Sequence, residues 1–589
     1  DSNDPSLYLT VSAYKPYDTT DKGRVVWSSS NAKVASVDDQ GKVTGHEKGE
    51  AVITADICGI QKTCKVTVKM NALPEFESYW PTFRKDNTNM AIVDVQLPNT
   101  GENLTEKWIQ DGMVEAKLGT LGTPLNVNGK LYVSAGEYLY RLNKETGAIE
   151  EKAKMCGKVG YFSYATYGDG MIFVPIDGGI VEAFNAETMD SLWRTDRMEG
   201  QSLCQLTYYN GYIYSGTWSG GSNGNSGKFY CFDTTKNGAQ TGNVKHPKWI
   251  SDDQKGYYWS GATIVGDAVI FGGDSGWLQS RNRVTGALID SVQCEGMIRS
   301  CISYDEGSSS VYFTAGVGDF TGGADEGKVY KAGVTKEGRF TGLQGTQLPA
   351  AATTTPVVYN GRVYVPTGKG FDYEGQMSVL DVNTMNIIYN AEIGGSSKSS
   401  PLLTTAYSND GQKTVYLYMT VNNIDGAIIR MKDWGGNTTP QVEVVYRPDA
   451  NQREHTTASL YCDNDGTIFY YNDKGHLMAL TGTTDPVRES AGVIDGRRPG
   501  QGGDSSNAAG KAAIQKAAAD AKDAFEPWKF DGNYVAPSKS VSKQPSNTSE
   551  KMKKAAAVLG LSALGMAVAY TAGAAMLQIK PGIKPRKRP

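Results

Sequence analysis

The sequence predicts an all-β protein whose largest domain is an eight-bladed β-propeller, with seven blades as the alternative. The composition is the first observation: glycine accounts for 69 of the 589 residues, and 33 residues are Tyr. Such a mixture is typical of short strands joined by tight turns. The second observation is a repeat, because Gly-containing turns that open a strand recur at intervals of 41 to 55 residues. Four short strands within such a period are the pattern of a propeller blade.

The charge balance argues against one class of partner. Lys and Arg number 59 against 63 Asp and Glu, which leaves a net charge of −4. A nearly neutral chain has no electrostatic reason to bind nucleic acid. At about 150 residues per domain, the length predicts more than one domain.

Residues 1–70 are predicted to form a small β domain. Apolar and polar residues alternate from residue 24 to 55, and residues 39–41 supply a hairpin turn. Seven residues are its expected core: Trp27, Val34, Ala35, Val37, Val43, Ala51 and Ile53. The pattern WSSSN, VASVD, GKVTG and CKVTV resembles the bacterial Ig-like domain of group 2. The resemblance implies an immunoglobulin-like β-sandwich that serves as a spacer or adhesive module. That family opens with a further strand before the segment LYLTVSAYKP, and this strand is missing because the sequence begins inside the domain. We therefore expect these residues to be the C-terminal part of a longer surface protein, with additional domains upstream.

Residues 71–103 are predicted to be a linker, and residues 104–483 the propeller. Eight segments carry the repeat: GKLYVSAG, GMIFVPID, GYIYSGTW, DAVIFGGD, SSVYFTAG, GRVYVPTG, KTVYLYMT and GTIFYYND. The eighth unit lacks a fourth strand, while a spare strand, LTEKWIQ at 104–110, precedes the first unit. Pairing the two would close the ring and remove an open sheet edge.

The segments TTPVVYNGRVYVPTGKG and GQMSVLDVNTMNIIYNAEI resemble the quinoprotein-like, pyrroloquinoline-quinone-type propeller repeat. That superfamily contains quinone-dependent alcohol dehydrogenases, assembly factors and surface proteins. Its dehydrogenases hold their quinone with a disulfide between adjacent cysteines, a stacking Trp and a calcium ion. This sequence has no adjacent Cys pair and no haem-attachment motif, so it predicts no cofactor. The acid pairs Asp463/Asp465 and Asp38/Asp39 are interpreted as turn residues, with calcium binding as the alternative.

Motifs of hydrolases, metalloproteases and nucleotide-binding enzymes do not occur, and the four His residues are not spaced as metal ligands. The sequence therefore favours a protein without catalytic activity and without a metal site. A carboxylate pair assembled from distant blades, as in glycoside hydrolysis, is the alternative that sequence spacing does not reveal.

A ligand site is predicted at the mouth of the propeller channel, where the residues preceding each innermost strand converge. The candidates are Tyr161, Phe162, Tyr257, Tyr258, Trp259, Arg299, Lys398 and His455. Aromatic rings would stack on sugars, and the cations would hold a carboxylate or sulfate. The alternative is that the rings fill the axis and pack between blades. Trp218 and Trp434 are weaker candidates.

Two disulfides are predicted among the eight cysteines, Cys58 with Cys64 across a hairpin turn and Cys294 with Cys301. For the other cysteines, small buried thiols are an equally good interpretation.

The C-terminal region is predicted to anchor the protein. Residues 484–554 are a flexible stalk with a short helix at 512–525, and residues 555–579 are a 25-residue run without charge. A run of that length can span a membrane as one helix, and the basic tail 580–589 would then be cytoplasmic. A soluble Ala-rich helix is the alternative.

These expectations describe a membrane-anchored, mostly extracellular binding or adhesion protein. Its ligand would be a glycan or a surface protein. The alternatives are a hydrolase or lyase acting on polysaccharide and a scaffold for cell-envelope assembly.

Overall fold

The computed structural model describes residues 6–8, 25–57, 60–69, 73–113, 121–160, 164–201, 205–220, 225–253, 255–317, 326–368 and 374–484. Within these ranges the chain forms 43 strands joined by turns. None of the residues so described forms a helix long and apolar enough to cross a membrane. The predicted stalk, membrane span and basic tail lie outside the described residues, as do Tyr161, Phe162 and Cys58.

The N-terminal domain consists of two three-stranded sheets. Its strands are β1 (Ser6–Tyr8), β2 (Val26–Ser29), β3 (Ala35–Val37), β4 (Lys42–Gly45), β5 (Gly49–Ile57) and β6 (Ile60–Val68). The order is β1-β4-β3 in one sheet and β2-β5-β6 in the other. Val34, Ala35, Val43, Ala51 and Ile53 form the buried core between them, with Trp27 and Val37 packed against it. The predicted core is therefore confirmed.

Three strands precede the first propeller sheet. They are β7 (Ser78–Trp80), β8 (Ile92–Val93) and β9 (Thr100–Gln110). Each of them joins a sheet whose other strands come later in the chain: β7 joins the first propeller sheet, β8 the seventh and β9 the eighth.

Eight sheets, numbered here in chain order, follow between residues 125 and 483, and the described residues give each at least four strands. Sheet 1 contains β10 (Leu125–Val127), β11 (Lys130–Ala135), β12 (Tyr138–Asn143) and β13 (Ile149–Lys154). Sheet 2 contains β14 (Thr166–Gly168), β15 (Met171–Ile176), β16 (Ile180–Asn185) and β17 (Ser191–Thr195). Sheet 3 contains β18 (Thr207–Tyr209), β19 (Tyr212–Gly216), β20 (Gly227–Asp233) and, after the short strands β21 (Gln240–Thr241) and β22 (Val244–Lys245) that extend sheet 2, β23 (Pro247–Asp253).

Sheet 4 contains β24 (Thr263–Val265), β25 (Ala268–Gly272), β26 (Trp277–Asn282) and β27 (Leu288–Gln293). Sheet 5 contains β28 (Met297–Ile298), β29 (Ser303–Asp305), β30 (Ser310–Val317), β31 (Glu326–Val334) and β32 (Phe340–Leu348). Sheet 6 contains β33 (Val357–Tyr359), β34 (Arg362–Pro366), β35 (Gln376–Asp381) and β36 (Ile387–Glu392). Sheet 7 contains β37 (Leu402–Thr404), β38 (Val415–Thr420), β39 (Ile428–Asp433) and β40 (Gln441–Tyr446). Sheet 8 contains β41 (Tyr461–Cys462), β42 (Ile468–Tyr471) and β43 (Leu477–Thr483).

Neighbouring sheets pack face to face through shared apolar cores. Phe229 of sheet 3 stacks on Phe271 of sheet 4 with ring centroids 3.7 Å apart, and Phe173 of sheet 2 stacks on Tyr208 of sheet 3 at 5.4 Å. One cluster joins sheets 4 and 5, and another joins sheets 6 and 7. Four-stranded sheets packed side by side in this way are the blades of a β-propeller.

The predicted closing strand is confirmed. Strand β9 pairs antiparallel with β43, with Trp108 opposite Ala479. The indole N–H of Trp108 then donates to the backbone carbonyl of Lys144 in sheet 1, at 3.0 Å. Sheet 8 thereby receives its fourth strand from a segment that precedes sheet 1, and this hydrogen bond joins it to sheet 1.

Residues 73–99, called the axial segment below, correct the prediction of a linker over 71–103. Strand β7 pairs with β10, the innermost strand of sheet 1, and β8 pairs in parallel with β37, the innermost strand of sheet 7. The axial segment therefore enters the propeller along one sheet and leaves it along another.

Polar side chains of the axial segment bond to backbone groups of distant sheets. Arg84 is fully buried and donates to the carbonyls of Ser400 and Pro401, at 3.0 and 2.6 Å. The Asn89 amide donates to the carbonyls of Ala262 and Ile302, at 2.8 and 2.9 Å. These contacts join sheets 4, 5 and 7 across the axis. The segment looked like a linker because its polar residues, which normally face solvent, here satisfy backbone carbonyls inside the ring.

Candidate ligand site at the propeller axis

The site is built from equivalent positions in consecutive sheets. The residue four positions before the innermost strand is Trp259 in sheet 4, and the same position in sheets 5 to 8 is occupied by Arg299, Thr353, Lys398 and Thr457. We call these five residues the axial ring. Each is at most 3% exposed. Three predicted candidates thus occupy equivalent positions around the axis, whereas sequence reasoning missed Thr353 and Thr457 because a lone Thr carries no distinctive signal.

The aromatic candidates are covered by protein. Tyr257 makes edge-to-face contacts with Phe229 and Phe271 in the core between sheets 3 and 4, at 5.3 and 5.7 Å. Tyr258 contacts Trp259 at 4.5 Å between ring centroids and Trp218 at 4.8 Å. The alternative interpretation, rings packed between blades, therefore describes Tyr257 better than a sugar-stacking role. Trp218, a weaker candidate, joins this cluster.

An acid that the sequence did not single out controls the charge of this cluster. Asp274 is buried, and its carboxylate accepts from Nε and Nη2 of Arg299 at 2.8 and 2.7 Å. The same carboxylate accepts from the indole N–H of Trp218 at 3.0 Å and from the Asn225 amide at 3.1 Å. The guanidinium of Arg299 also lies 4.5 Å from the ring centroid of Tyr258. The positive charge expected to hold a ligand anion is therefore compensated within the protein.

Lys398 and His455 have partners away from that cluster. The ammonium of Lys398 donates to the carbonyl of Gly368 at 3.2 Å. His455 Nδ1 lies 3.0 Å from the carboxylate of Glu454. Burial raises the pKa of Glu454, but the hydrogen bonds and charge of His455 outweigh it, so the net shift of that pKa is downward. Lys398 and His455 thus each have a hydrogen-bond partner within the protein.

A group of buried polar side chains on sheets 6 to 8 lacks hydrogen-bond partners. Among the residues that the structure describes, no nitrogen or oxygen partner is found for the hydroxyls of four of them or for either amide atom of the fifth, and the Thr355 hydroxyl contacts the Cys301 thiol. These five residues, the axial polar cluster, are Thr353, Thr355, Ser399, Asn422 and Thr457, and each is at most 1% exposed. In folded proteins such buried groups are almost always paired, so each one calls for an explanation.

Hydrogen bonds between sheets bring the members of the axial polar cluster near one another. The Thr355 N–H donates to Ser400 Oγ at 2.8 Å, and the Ser400 N–H donates to Ser459 Oγ at 2.9 Å. The Asn422 N–H donates to the carbonyl of Ser396 at 2.8 Å. Backbone and hydroxyl contacts thus connect sheets 6, 7 and 8 at the level of the axial ring.

The predicted disulfides are not formed between described residues. Cys294 and Cys301 are both free thiols, and Cys301 Sγ instead contacts the side-chain oxygen of Gln205. Cys64 is a free, exposed thiol opposite Ile53 in the β5–β6 pair. Because Ile57 is opposite Ile60, Cys64 lies four strand positions, about 13 Å, from the hairpin end. Cys58, the predicted partner of Cys64, lies outside the described residues.

The buried thiols are not nucleophiles at neutral pH. Burial raises the pKa of Cys294 and of Cys301 to about 12. Cys156 is an exposed thiol, and partial desolvation, followed by the charge of Glu182, raises its pKa to about 11. Since the thiolate is the reactive form, these positions do not fit cysteine catalysis.

Neither the adjacent cysteines that would hold a quinone nor a group of side chains arranged to bind a metal occurs in the part of the chain that the structure describes. The adjacent cysteines that hold the quinone in dehydrogenases of this type do not occur in the sequence. No group of three or more His, Cys, Asp or Glu in the described ranges is arranged to bind a metal. Asp463 and Asp465 pair with the Lys144 ammonium at 3.1 and 2.6 Å. Asp38 accepts from two backbone N–H groups of its own turn, at 2.9 and 2.8 Å.

Comparisons with known proteins identify the N-terminal domain. Residues 6–68 match the bacterial Ig-like domain (group 2) family, which confirms the predicted N-terminal domain. An uncharacterized protein of Clostridium acetobutylicum is 38% identical over 102 residues, which is 17% of this chain and 24% of that protein. The chain thus spans about a quarter of the length of the curated relative that it matches.

Two solved structures are similar to this chain at low identity. BamB from Moraxella catarrhalis has a TM-score of 0.44 at 12% identity, over 64% of this chain and 97% of that one. A quinohemoprotein alcohol dehydrogenase from Pseudomonas putida has a TM-score of 0.40 at 11% identity, over 77% and 91%. At such low scores the fold assignment rests on the sheet order of this chain itself.

Proposed function

We propose that this protein is a non-catalytic binding protein whose eight-bladed propeller takes a hydroxyl-rich ligand, such as a terminal sugar of a glycan, at the axial polar cluster. The observation that carries the proposal is the set of buried, unpartnered hydroxyl and amide groups in that cluster.

The chemistry of the cluster favours a neutral ligand. A hydroxyl both donates and accepts, and a carboxamide offers two donors and one acceptor group. An anion would use only the donors, and a metal ion only the acceptors. The hydroxyls of a sugar also donate and accept, so they match the whole set.

Burial sets a kinetic expectation for this binding. Thr353 and Thr457 are fully buried, so a ligand reaches them only when the surrounding loops open. Association that requires a conformational change is slower than the usual 10⁵–10⁷ M⁻¹s⁻¹ or so for proteins. A slow on-rate is therefore part of the proposal.

A surface location is also part of the proposal, with the bulk of the chain extracellular and a single membrane anchor. It is supported by the uncharged run at 555–579, by the basic tail that follows, and by the Ig-like domain. A surface protein as ligand, a polysaccharide hydrolase and an envelope scaffold are outcomes that the following experiment distinguishes.

The test compares two adjacent threonines. Thr353→Val removes an unpartnered hydroxyl, whereas Thr354→Val removes one that donates to the carbonyl of Pro366 at 2.7 Å. On a glycan array with the full chain, we expect Thr353→Val and Thr457→Val to lose binding at least tenfold with an unchanged melting temperature. The control Thr354→Val should bind normally but lose about 1–3 kcal/mol of stability, because a buried acceptor is left unpaired.

Three results would change the assignment. Binding by wild type that survives in Thr353→Val and Thr457→Val would refute the axial site. Products released from a polysaccharide would make the protein a hydrolase or lyase. A blank array, with envelope proteins that co-purify, would favour the scaffold.

A further inference from the structure

The Ig-like domain contacts the propeller through two adjacent residues of opposite charge. Glu47 and Lys48 lie in the loop between β4 and β5. Glu47 pairs with the guanidinium of Arg283 in the turn between β26 and β27 of sheet 4. Lys48 pairs with Glu75 of the axial segment at 2.5 Å and with Asp169 in the first turn of sheet 2 at 3.4 Å.

The charges on the propeller side are buried. The side chain of Arg283 is 3% exposed and that of Asp169 is fully buried. Tyr208 donates to the carboxylate of Asp169, and the guanidinium of Arg283 lies 5.0 Å from the ring centroid of Tyr209. Removing such charges from water is costly unless they are paired, and the Ig-like domain supplies part of that pairing.

The order of the two charges specifies one arrangement. Glu47 faces the base Arg283 of sheet 4. Lys48, the next residue, faces the acids Asp169 of sheet 2 and Glu75 of the axial segment. Rotating or shifting the domain would place like charges together, and buried like-charge contacts cost several kcal/mol in interfaces. Charge complementarity of this kind supplies specificity more than affinity.

We propose that the ion pairs of Glu47 and Lys48 with the propeller, called the latch below, hold the Ig-like domain in one orientation on the turns of sheets 2 and 4. The domain then moves with the propeller as one body, and it is not a freely jointed spacer. This inference is independent of the ligand proposed for the axis.

The test exchanges the charges of the buried pair in the full chain. We expect Glu47→Arg to release the domain, so that amide hydrogen exchange in the β4–β5 loop becomes at least tenfold faster and small-angle scattering reports a wider range of shapes. Glu47→Arg combined with Arg283→Glu and Asp267→Asn should restore slow exchange and the wild-type scattering curve. The change at Asp267 is included because this carboxylate lies 3.7 Å from the Arg283 guanidinium and would repel a new acid there. The matched control is Lys33→Ala, because the Lys33–Asp267 pair is 70% and 53% exposed and should contribute little.

Three outcomes would overturn the latch. In the first, the Glu47→Arg variant has the amide exchange rates and the scattering curve of wild type. In the second, Glu47→Arg is perturbed but reversing the charges of the pair restores neither property. In the third, Lys33→Ala releases the domain as fully as Glu47→Arg does. A circular dichroism melt of each variant separates release of the domain from loss of folding.

Discussion

Gly147 tests how the last sheet closes on the first. This residue ends the turn between β12 and β13 with φ +69°, and a Cβ there would lie 2.5 Å from Cε3 and 2.7 Å from Cδ2 of Trp108. The indole cannot easily retreat, since its N–H is bonded to the Lys144 carbonyl and its ring contacts Phe469 at 5.9 Å. We therefore expect Gly147→Ala to loosen the junction between sheets 8 and 1.

Two terms set the size of the effect. A non-glycine residue in the left-handed region costs about 1–2 kcal/mol. Forcing a methyl group into a filled contact costs about 1–3 kcal/mol more. Gly129 provides the control, because its φ is +67° but no atom lies within 4 Å of a Cβ built on it. Gly129→Ala should therefore show only the first term.

Urea denaturation of the full chain, followed by tryptophan fluorescence, measures the difference. Gly147→Ala should unfold at a lower urea concentration than Gly129→Ala, by the equivalent of about 1–3 kcal/mol. Equal midpoints for the two variants would refute the proposed contact between Trp108 and Gly147. Because Trp249 and Gly286 repeat this geometry between sheets 3 and 4, with a Cβ–Cγ distance of 2.6 Å, Gly286→Ala should behave like Gly147→Ala.

Two further predictions concern buried groups. Arg84→Met should lower the free energy of unfolding by at least about 3 kcal/mol in the same urea assay, because the carbonyls of Ser400 and Pro401 lose a charged donor. A change below about 0.5 kcal/mol would contradict a role for the axial segment in joining the sheets. The pKa of Cys294 and Cys301 is raised by burial to about 12 in the folded protein, against about 8.5 for an unperturbed thiol. The unfolded chain then loses thiol protons first, so stability should fall as pH rises from about 9 toward 12, and a urea midpoint that stays constant from pH 8 to 11 would contradict this.

Local sequence patterns predicted the strands of the propeller because they depend on neighbours in the chain. A Gly-containing turn followed by alternating apolar residues needs no distant partner, and the strand after each predicted turn is present, as β15 after Gly170 shows. The closing strand was also predictable, because KWI at 107–109 repeats at 248–250 and the Trp of each segment donates to the next sheet.

The axial segment was not predictable from the same patterns. Arg84 and Asn89 are polar, and polar residues between two domains normally indicate an exposed linker. Their burial depends on carbonyls up to 317 residues away, which no local pattern contains. The same limit applies to Arg299, whose charge is compensated by Asp274 from another loop.

The sequence by itself predicted the all-β class, the Ig-like domain, the repeat and the pairing of residues 104–110 with the last sheet. All of these follow from alternation, turn residues and repetition, which are properties of short stretches of chain. Only the tertiary structure decided which polar groups are compensated and which are left with bonding capacity. Tyr258 and Arg299 became part of a packed ion-pair cluster, while Thr353 and Thr457 became the ligand candidates. Whether a buried group is paired depends on its neighbours in space, and these belong to different sheets.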